Sequence, residues 1–447
     1  MKFFKADIIS SFVVFIVAMP LSMGIALASG ASLAAGLITA IIGGIVGGLF
    51  AGAPLTVTGP AAGMTALVFQ LIQSYGIRGL AVITVMAGLM QIIFGIGRAG
   101  GLFRLIPQAV LEGVLTAIGA IIVLGQLHVL VGADLPKSIS DGILTLPQVL
   151  QSAESAVIFC GILAIVIQLL WRKLSPIKWI PAALPAVVSI TALSLLWQMP
   201  RVEFEALLPL MQSSTTDFFS FGWLQKSMIF LVPAFGVALV ASAESLLTAR
   251  AVDTLVKDQS PPANLNKELF AQGAANVLSG AFGGLPMTAV MVRSAANVDS
   301  GARTRLSTML HGLWIAAFVG LLPQVISKVP LTVLAAVLIL TGYKLINVQG
   351  LWKEFSHNRR EGFLWMGTAF LILATDLLTG LVASLVLATF VNAKEIFSSF
   401  KKGSAVQPSE QVLQPVTEFF AEEKILQPQP IAKARTYEPR RDQDLQM

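Results

Sequence analysis

An all-α polytopic membrane protein is the fold class this sequence predicts, and three observations predict it. Charged residues are only 12% of the 447, hydrophobic residues are 55%, and the mean hydropathy is +0.79. A soluble domain carries about twice that charge fraction. Apolar runs of roughly spanning length recur from end to end, at residues 8–28, 41–53 with their flanks, 81–97, 110–131, 156–171 and 362–374. The basic residues, finally, divide unevenly between alternate connections. With the N-terminus inside, the inner connections carry Lys2, Lys5, Arg98, Arg104, Arg172, Lys173, Arg250, Arg303, Arg305, Arg359 and Arg360 among others, and the outer ones only Arg78, Lys137, Arg201, Lys226 and Lys328. That asymmetry follows the positive-inside rule and requires an even number of spans. The count is fourteen, with both termini cytoplasmic. The net charge of +6 thus reflects topology and gives no reason to invoke nucleic acid.

The first run, at 8–28, leads straight into further spans and lacks a cleavage site, so it is a span and not a signal peptide. Lys2, Lys5 and Asp7 are expected to anchor it at the surface. The third segment is broken: Thr56-Val57-Thr58-Gly59-Pro60-Ala61-Ala62-Gly63-Met64-Thr65 puts Gly and Pro at the head of a run too short to cross as one helix. Glu112 lies near a span end and is expected at the interface. Cys160 is the lone cysteine, and with His128, His311 and His357 scattered, neither a thiolate metal site nor a covalent enzyme has a basis. A long, polar, Pro-punctuated outer connection at 199–226 divides the chain into repeats at about 5–200 and 225–400. Seven spans is an odd number, so the second repeat enters the membrane in the opposite orientation.

Glu244 sits in the second repeat among Ala241, Ser242, Ala243 and Ser245, small residues that suit close helix packing. Thr248 is four residues on and shares its helical face. The pair offers oxygens for a coupling Na⁺; a desolvated carboxylate would serve a proton instead, and an ion pair with Arg293 would be purely structural. A second broken segment follows, Gly283-Gly284-Leu285-Pro286-Met287-Thr288-Ala289-Val290-Met291-Val292-Arg293-Ser294, third in its half like the first. Paired interruptions of this kind point to two half-helices meeting at a midplane substrate site. Their free amides and positive dipole ends would hold an anion. Pro60 and Pro286 are expected in the first helical turns, with Ala61, Ala62, Ala289, Val290 and Met291 at the ligand. Arg293, about two turns in, would raise the local potential or balance Glu244. Asp376 is expected at an interface, and the polar stretch 401–447 forms a cytoplasmic tail.

The stretches Ala243-Glu244-Ser245-Leu246-Leu247-Thr248-Ala249-Arg250, Asn266-Lys267-Glu268-Leu269-Phe270-Ala271-Gln272-Gly273 and 283–305, with Pro20 and Thr58-Gly59-Pro60, resemble the SulP inorganic-anion transporters, which include sulfate permeases, bicarbonate transporters, pendrin and prestin. The resemblance covers residues 5–400. It implies a UraA-like inverted repeat of seven plus seven spans, with a core domain of spans 1–4 and 8–11 moving like an elevator against a gate domain that dimerises. By the same resemblance, Ala61, Ala289, Val290 and Met291 match substrate-contacting positions, Arg293 matches the half-helix arginine, and Glu244 and Thr248 match Na⁺-holding positions where the bicarbonate branch has Asp. Leu21 stands where sulfate-type members have Gln, which favours bicarbonate. Most relatives carry a STAS domain, and the tail is expected to be too short for one.

The reading is a bacterial inner-membrane symporter for a small inorganic anion, bicarbonate ahead of sulfate, driven by Na⁺ or H⁺, without other cofactor, acting as a homodimer in the bilayer. An uncoupled channel or exchanger is the alternative on the same scaffold, a nucleobase transporter fits Arg293 less well, and a non-transporting scaffold or sensor would place function in the tail.

Overall fold

The computed structural model describes residues 3–101, 107–136, 139–174, 180, 182–197, 201, 207, 211, 223–256, 262–375 and 377–391. The 401–447 tail, Asp376 and most of the 199–226 connection lie outside the described residues.

Helix α1 (Phe4–Ala28) leads to α2 (Leu33–Phe50), which starts where Ser32 accepts a hydrogen bond from Ala35 N at 3.3 Å. A π-helical turn at Gly43–Gly47 interrupts α2, and its glycines make a groove. A Cβ on Gly43 would lie 2.7 Å from Thr58 O, and one on Gly44 would lie 2.6 Å from His311 Cε1. The chain then crosses this groove as a short strand, β1 (Thr58–Pro60). A 3₁₀ turn at Ala62–Met64 opens α3 (Thr65–Ile96), which is two helices joined at Gly76, where φ is +67°. Only glycine adopts that angle without strain. Next come α4 (Gln108–Leu130), α5 (Ile139–Ser152), α6 (Ser155–Leu174) and α7 (Ala183–Ser194).

The second half begins with α8 (Trp223–Val256) and α9 (Leu265–Ala281), the latter capped by Asn264. Strand β2 (Met287–Ala289) and the nine-residue α10 (Met291–Asp299) follow. The described chain ends with α11 (Leu306–Leu321), α12 (Leu331–Ile346), α13 (Val348–His357), α14 (Arg359–Ala374) and α15 (Leu377–Val391). Each strand therefore follows two helices of its own half.

Two packing groups result. Helices α1, α2, α3, α8, α9, α10 and α11 surround the strands, while α4 packs with α12, α14 and α15. Small residues permit both. A Cβ on Gly88 of α3 would lie 2.7 Å from Gly273 O of α9, and one on Gly273 would lie 2.6 Å from Gly88 O. Gly119 of α4 and Gly342 of α12 face each other with the same reciprocity, at 2.5 and 2.9 Å. In lipid, where helix association relies on close backbone approach, such pairs set the crossing points.

Among the described residues, six helices are long and apolar enough to cross a membrane, and a seventh if α5 and α6, bent by 116°, count as one. Shorter apolar helices lie at Ala183–Ser194, Leu306–Leu321 and Thr379–Val391. Two charged residues are placed otherwise than expected. Asp7 is 1% exposed rather than a surface anchor, because its carboxylate accepts from Arg303 N (2.8 Å), Thr304 N (3.1 Å) and Thr304 Oγ1 (2.6 Å) just before α11. Glu112 is near the start of α4 as expected, but it is buried, facing Gln108 and Asn347 with Glu354 close by.

Replacing Gly88 by Val should separate α3 from α9, since the new side chain meets backbone on the partner rather than a movable side-chain tip. The yield of monodisperse detergent-solubilised protein should fall sharply, while Gly320→Ala, which enters open space, should leave it unchanged. Size-exclusion chromatography of the two variants checks this.

Candidate functional site

Strands β1 and β2 pair antiparallel in the interior, with Thr58 opposite Ala289, Gly59 opposite Thr288 and Pro60 opposite Met287. In such a ladder only alternate pairs exchange hydrogen bonds. Gly59 and Thr288 form the bonded pair, and Val290 N continues the ladder to Val57 O at 2.9 Å. The outward backbone groups of the pairs on either side then need other partners. Pro60 occupies one such outward position, where its missing N–H goes unnoticed. The expectation that Pro60 and Pro286 open the helices is therefore corrected: Pro60 closes β1, and Pro286 precedes β2.

Side chains supply the remaining partners. Asn276 of α9 brackets Met287, accepting from its N–H at 2.8 Å and donating to its C=O at 3.0 Å. Asn276 also donates to Gln91 Oε1 at 2.8 Å, and Gln91 donates to Ser242 Oγ at 3.2 Å. Ser245 accepts from Ala289 N at 3.1 Å, and Ser294 accepts from Val57 N at 2.9 Å. Gln272 donates to Thr58 Oγ1 and to Glu268 Oε1, each at 2.8 Å, while Glu268 Oε2 accepts from Gly52 N at 2.8 Å and Ala53 N at 3.0 Å. Thr39 accepts from Leu285 N at 2.7 Å. Asn276, Gln272, Glu268, Gln91 and Thr39 were not singled out from sequence as site residues. A signal was available: Glu268, Gln272 and Asn276 recur every four residues, a polar stripe on one face of an otherwise apolar helix.

Because the strands run in opposite directions, the two helices that follow them start from opposite ends of the ladder and lead away from each other. Their first amides, at Ala62 and Gly63 and at Met291 and Val292, precede any intrahelical acceptor. The first turns close only at Met64 N to Ala61 O (3.1 Å) and Ser294 N to Val290 O (3.0 Å). Ala61 and Ala289 are buried at 1% and 0%, whereas Ala62, Val290, Met291 and Glu244 are partly open. The fold thus brings Ala61, Ala62, Ala289, Val290 and Met291 to the two ends of one short ladder.

Glu244 lies against the first of these helix starts. A Cβ on Gly63 would sit 2.8 Å from its Oε2 and 2.9 Å from its Oε1, and Thr288 of β2 faces the same carboxylate. Thr248 is one turn away on α8 and 5% exposed. Arg293 is the third residue of α10, not two turns in, because the helix begins only at Met291. Its guanidinium packs on Gly59, where a Cβ would lie 2.3 Å from Nη1, and Nη2 donates to Pro60 O at 3.4 Å. Glu244 and Arg293 make no ion pair: each is held against a different residue of the β1 crossover, Gly63 and Gly59. The structural ion pair considered from sequence is therefore absent.

Residues 4–368 match the model of the sulfate permease family. YvdB of Bacillus subtilis, provisionally named a sulfate transporter, is 28% identical over 86% of this chain and 73% of its own length. The bicarbonate transporter BicA of Synechocystis is 28% identical over 76% of this chain, a match spanning only 60% of BicA. In three dimensions the chain resembles the transmembrane domain of a cyanobacterial BicA with a TM-score of 0.72 at 24% identity, covering 85% of this chain and 98% of that one. SLC26A9 gives a TM-score of 0.75 at 16% identity, covering 88% of this chain and 66% of that one.

Asn276→Leu should leave the Met287 N–H and C=O without partners in the interior. Two unsatisfied buried groups at 1–3 kcal/mol each predict a loss of about 2–6 kcal/mol. The variant should melt well below the parent in a detergent thermal-shift assay; an unchanged melting point would mean that Asn276 does not support the strand.

Proposed function

The chain belongs to the sulfate permease family, whose members are transporters rather than enzymes, and from that premise we propose that it carries a small inorganic anion, bicarbonate ahead of sulfate, by cation-coupled symport. The observation that carries this reading is the β1–β2 pair, which sets two helix starts at the ends of one ladder with few side-chain charges between them. Backbone amides and helix dipoles there favour an anion, and Ala62 and Val290 are slim enough to let it approach.

The coupling follows from Glu244. Its carboxylate and the transported anion draw on the same positive helix end, so each disfavours the other. Neutralising the carboxylate removes that conflict, which makes anion and cation bind together. The Glu244 carboxylate, the Thr248 hydroxyl and the neighbouring Thr288 hydroxyl are hard oxygen donors of the kind that suit Na⁺. A proton on Glu244 would serve the same end.

The fourteen spans of the proposal map onto these elements as seven plus seven. The first repeat comprises α1, α2, β1 with α3 up to Gly76, the remainder of α3, then α4, α6 and α7. The second comprises α8, α9, β2 with α10, then α11, α12, α14 and α15. The strand-bearing packing group corresponds to the core, and the group built on α4 and α12 corresponds to the gate. Sliding of the first group past the second would carry the site across the membrane as an elevator. The proposal includes cytoplasmic termini, a bacterial inner membrane and a homodimer, the last supported by exposed Phe363, Phe370 and Phe390 on the gate group, which suit lipid or a second copy.

Counterflow in proteoliposomes with bicarbonate, sulfate and chloride, each with and without a Na⁺ or pH gradient, tests the substrate and the coupling. Glu244→Gln keeps the shape and removes the charge, so anion uptake should persist but lose its dependence on the driving cation. Full cation dependence in that variant would remove Glu244 from the mechanism. Ala62→Phe should abolish uptake, because the added ring crowds the first helix start, and folded yield measured in parallel separates that effect from misfolding. Normal uptake by that variant would put the anion elsewhere.

A further inference from the structure

Arg293 heads the fully buried side chains of this protein by volume, with 0% exposure, and its surroundings do not match its hydrogen-bonding capacity. Among the described residues only Nη2 has an acceptor, Pro60 O at 3.4 Å; Nε and Nη1 have none. Guanidinium N–H groups only donate, so the missing group is an acceptor.

His311 on α11 has the complementary defect. It is 0% exposed, and its Nδ1 lies 2.5 Å from Thr308 O. A carbonyl only accepts, so the proton of a neutral ring is on Nδ1 and Nε2 carries a lone pair. Among the described residues that Nε2 has no partner. Both side chains lie at the crossing of β1 over α2: a Cβ on Gly44 would lie 2.6 Å from His311 Cε1, one on the adjacent Gly43 would lie 3.1 Å from Gly59 N, and Gly59 carries the Arg293 guanidinium. Among the described residues, the contacts on this pair from α2, β1 and α11 carry no charge. From α2 come Gly44 and Gly48, from β1 Gly59 and the Pro60 carbonyl, and from α11 Thr308 and Gly312. Glu244 is held at Gly63, away from the guanidinium.

We infer that His311 is a positioning residue for the anion site: its neutral Nε2 takes up the free N–H groups of Arg293 through one bound water, pinning the guanidinium behind Gly59. The water accepts from the arginine and donates one O–H to the imidazole, so each ring and guanidinium atom meets a group of the opposite kind. A neutral acceptor holds the arginine without cancelling its charge, which a carboxylate in the same place would do. The positive potential then reaches the helix starts through β1, while the side chain itself stays out of the ion's path. This inference rests on the reading that the helix starts bind the anion.

Its test compares His311→Leu, which has no acceptor, with His311→Gln, which restores a neutral one, and His311→Glu, which supplies a charged one. KM and kcat for the anion found by counterflow are measured in proteoliposomes, with melting temperature in parallel. His311→Leu should raise KM about tenfold, the worth of one hydrogen bond to a charged group, with kcat changed far less. His311→Gln should recover most of that affinity, and His311→Glu should recover stability but not affinity. Equal KM in parent and His311→Leu, or equal impairment in the Leu and Gln variants, would overturn the inference. Should the parent carry none of the anions, the transport reading fails on its own, and a melting-temperature cycle of His311→Leu with Arg293→Met still decides: coupled effects support the link, and additive effects refute it.

Discussion

Everything in this structure depends on placing non-helical backbone inside an apolar medium without leaving its polar groups bare. A bilayer interior offers no water, so exposed amides and carbonyls must find partners within the protein. The chain meets this demand twice at once by pairing its two interruptions with each other. Two strands of three residues each pair with one another, and Asn276, Ser245 and Ser294 bond further backbone groups of the same crossing. The glycines of α2 follow from the same demand. A strand lies in contact with a helix only where the helix has no side chain in the way, as at Gly43 and Gly47 facing Thr58.

The same arrangement separates the charges. An arginine and a glutamate near a common site would ordinarily pair, and a buried pair cancels its own field. Here the β1 crossover lies against both, with Gly59 at the guanidinium and Gly63 at the carboxylate. Each charge thereby keeps its own reach. The carboxylate belongs with the first helix start and the two threonine hydroxyls, whereas the guanidinium stands behind the strand. Absence of a side chain at two glycines is what makes room for both, so those positions matter to the site though neither carries any chemistry.

Much of the site was legible in the sequence because its elements are local. Gly-Pro breaks in apolar runs, a carboxylate among small residues and an arginine in a half-length segment are visible without any fold. Exact helix starts were less legible. Proline suits both a first helical turn and an outward-facing strand position, and only the register, Pro60 opposite Met287, distinguishes them. Asp7 was misplaced for a related reason. Four residues into the first helix, it looks like an anchor, and its true partners, Arg303 and Thr304, are nearly three hundred positions away.

By itself, then, the sequence determined the membrane class, the two interrupted segments and the residue types that face each other across them, since composition, hydropathy and Gly-Pro breaks are properties of neighbouring residues. The tertiary structure decided the strand pairing, the polar stripe that supports it and the separation of Glu244 from Arg293. Those depend on which distant backbone groups remain unsatisfied once the helices have packed, and no local pattern records that.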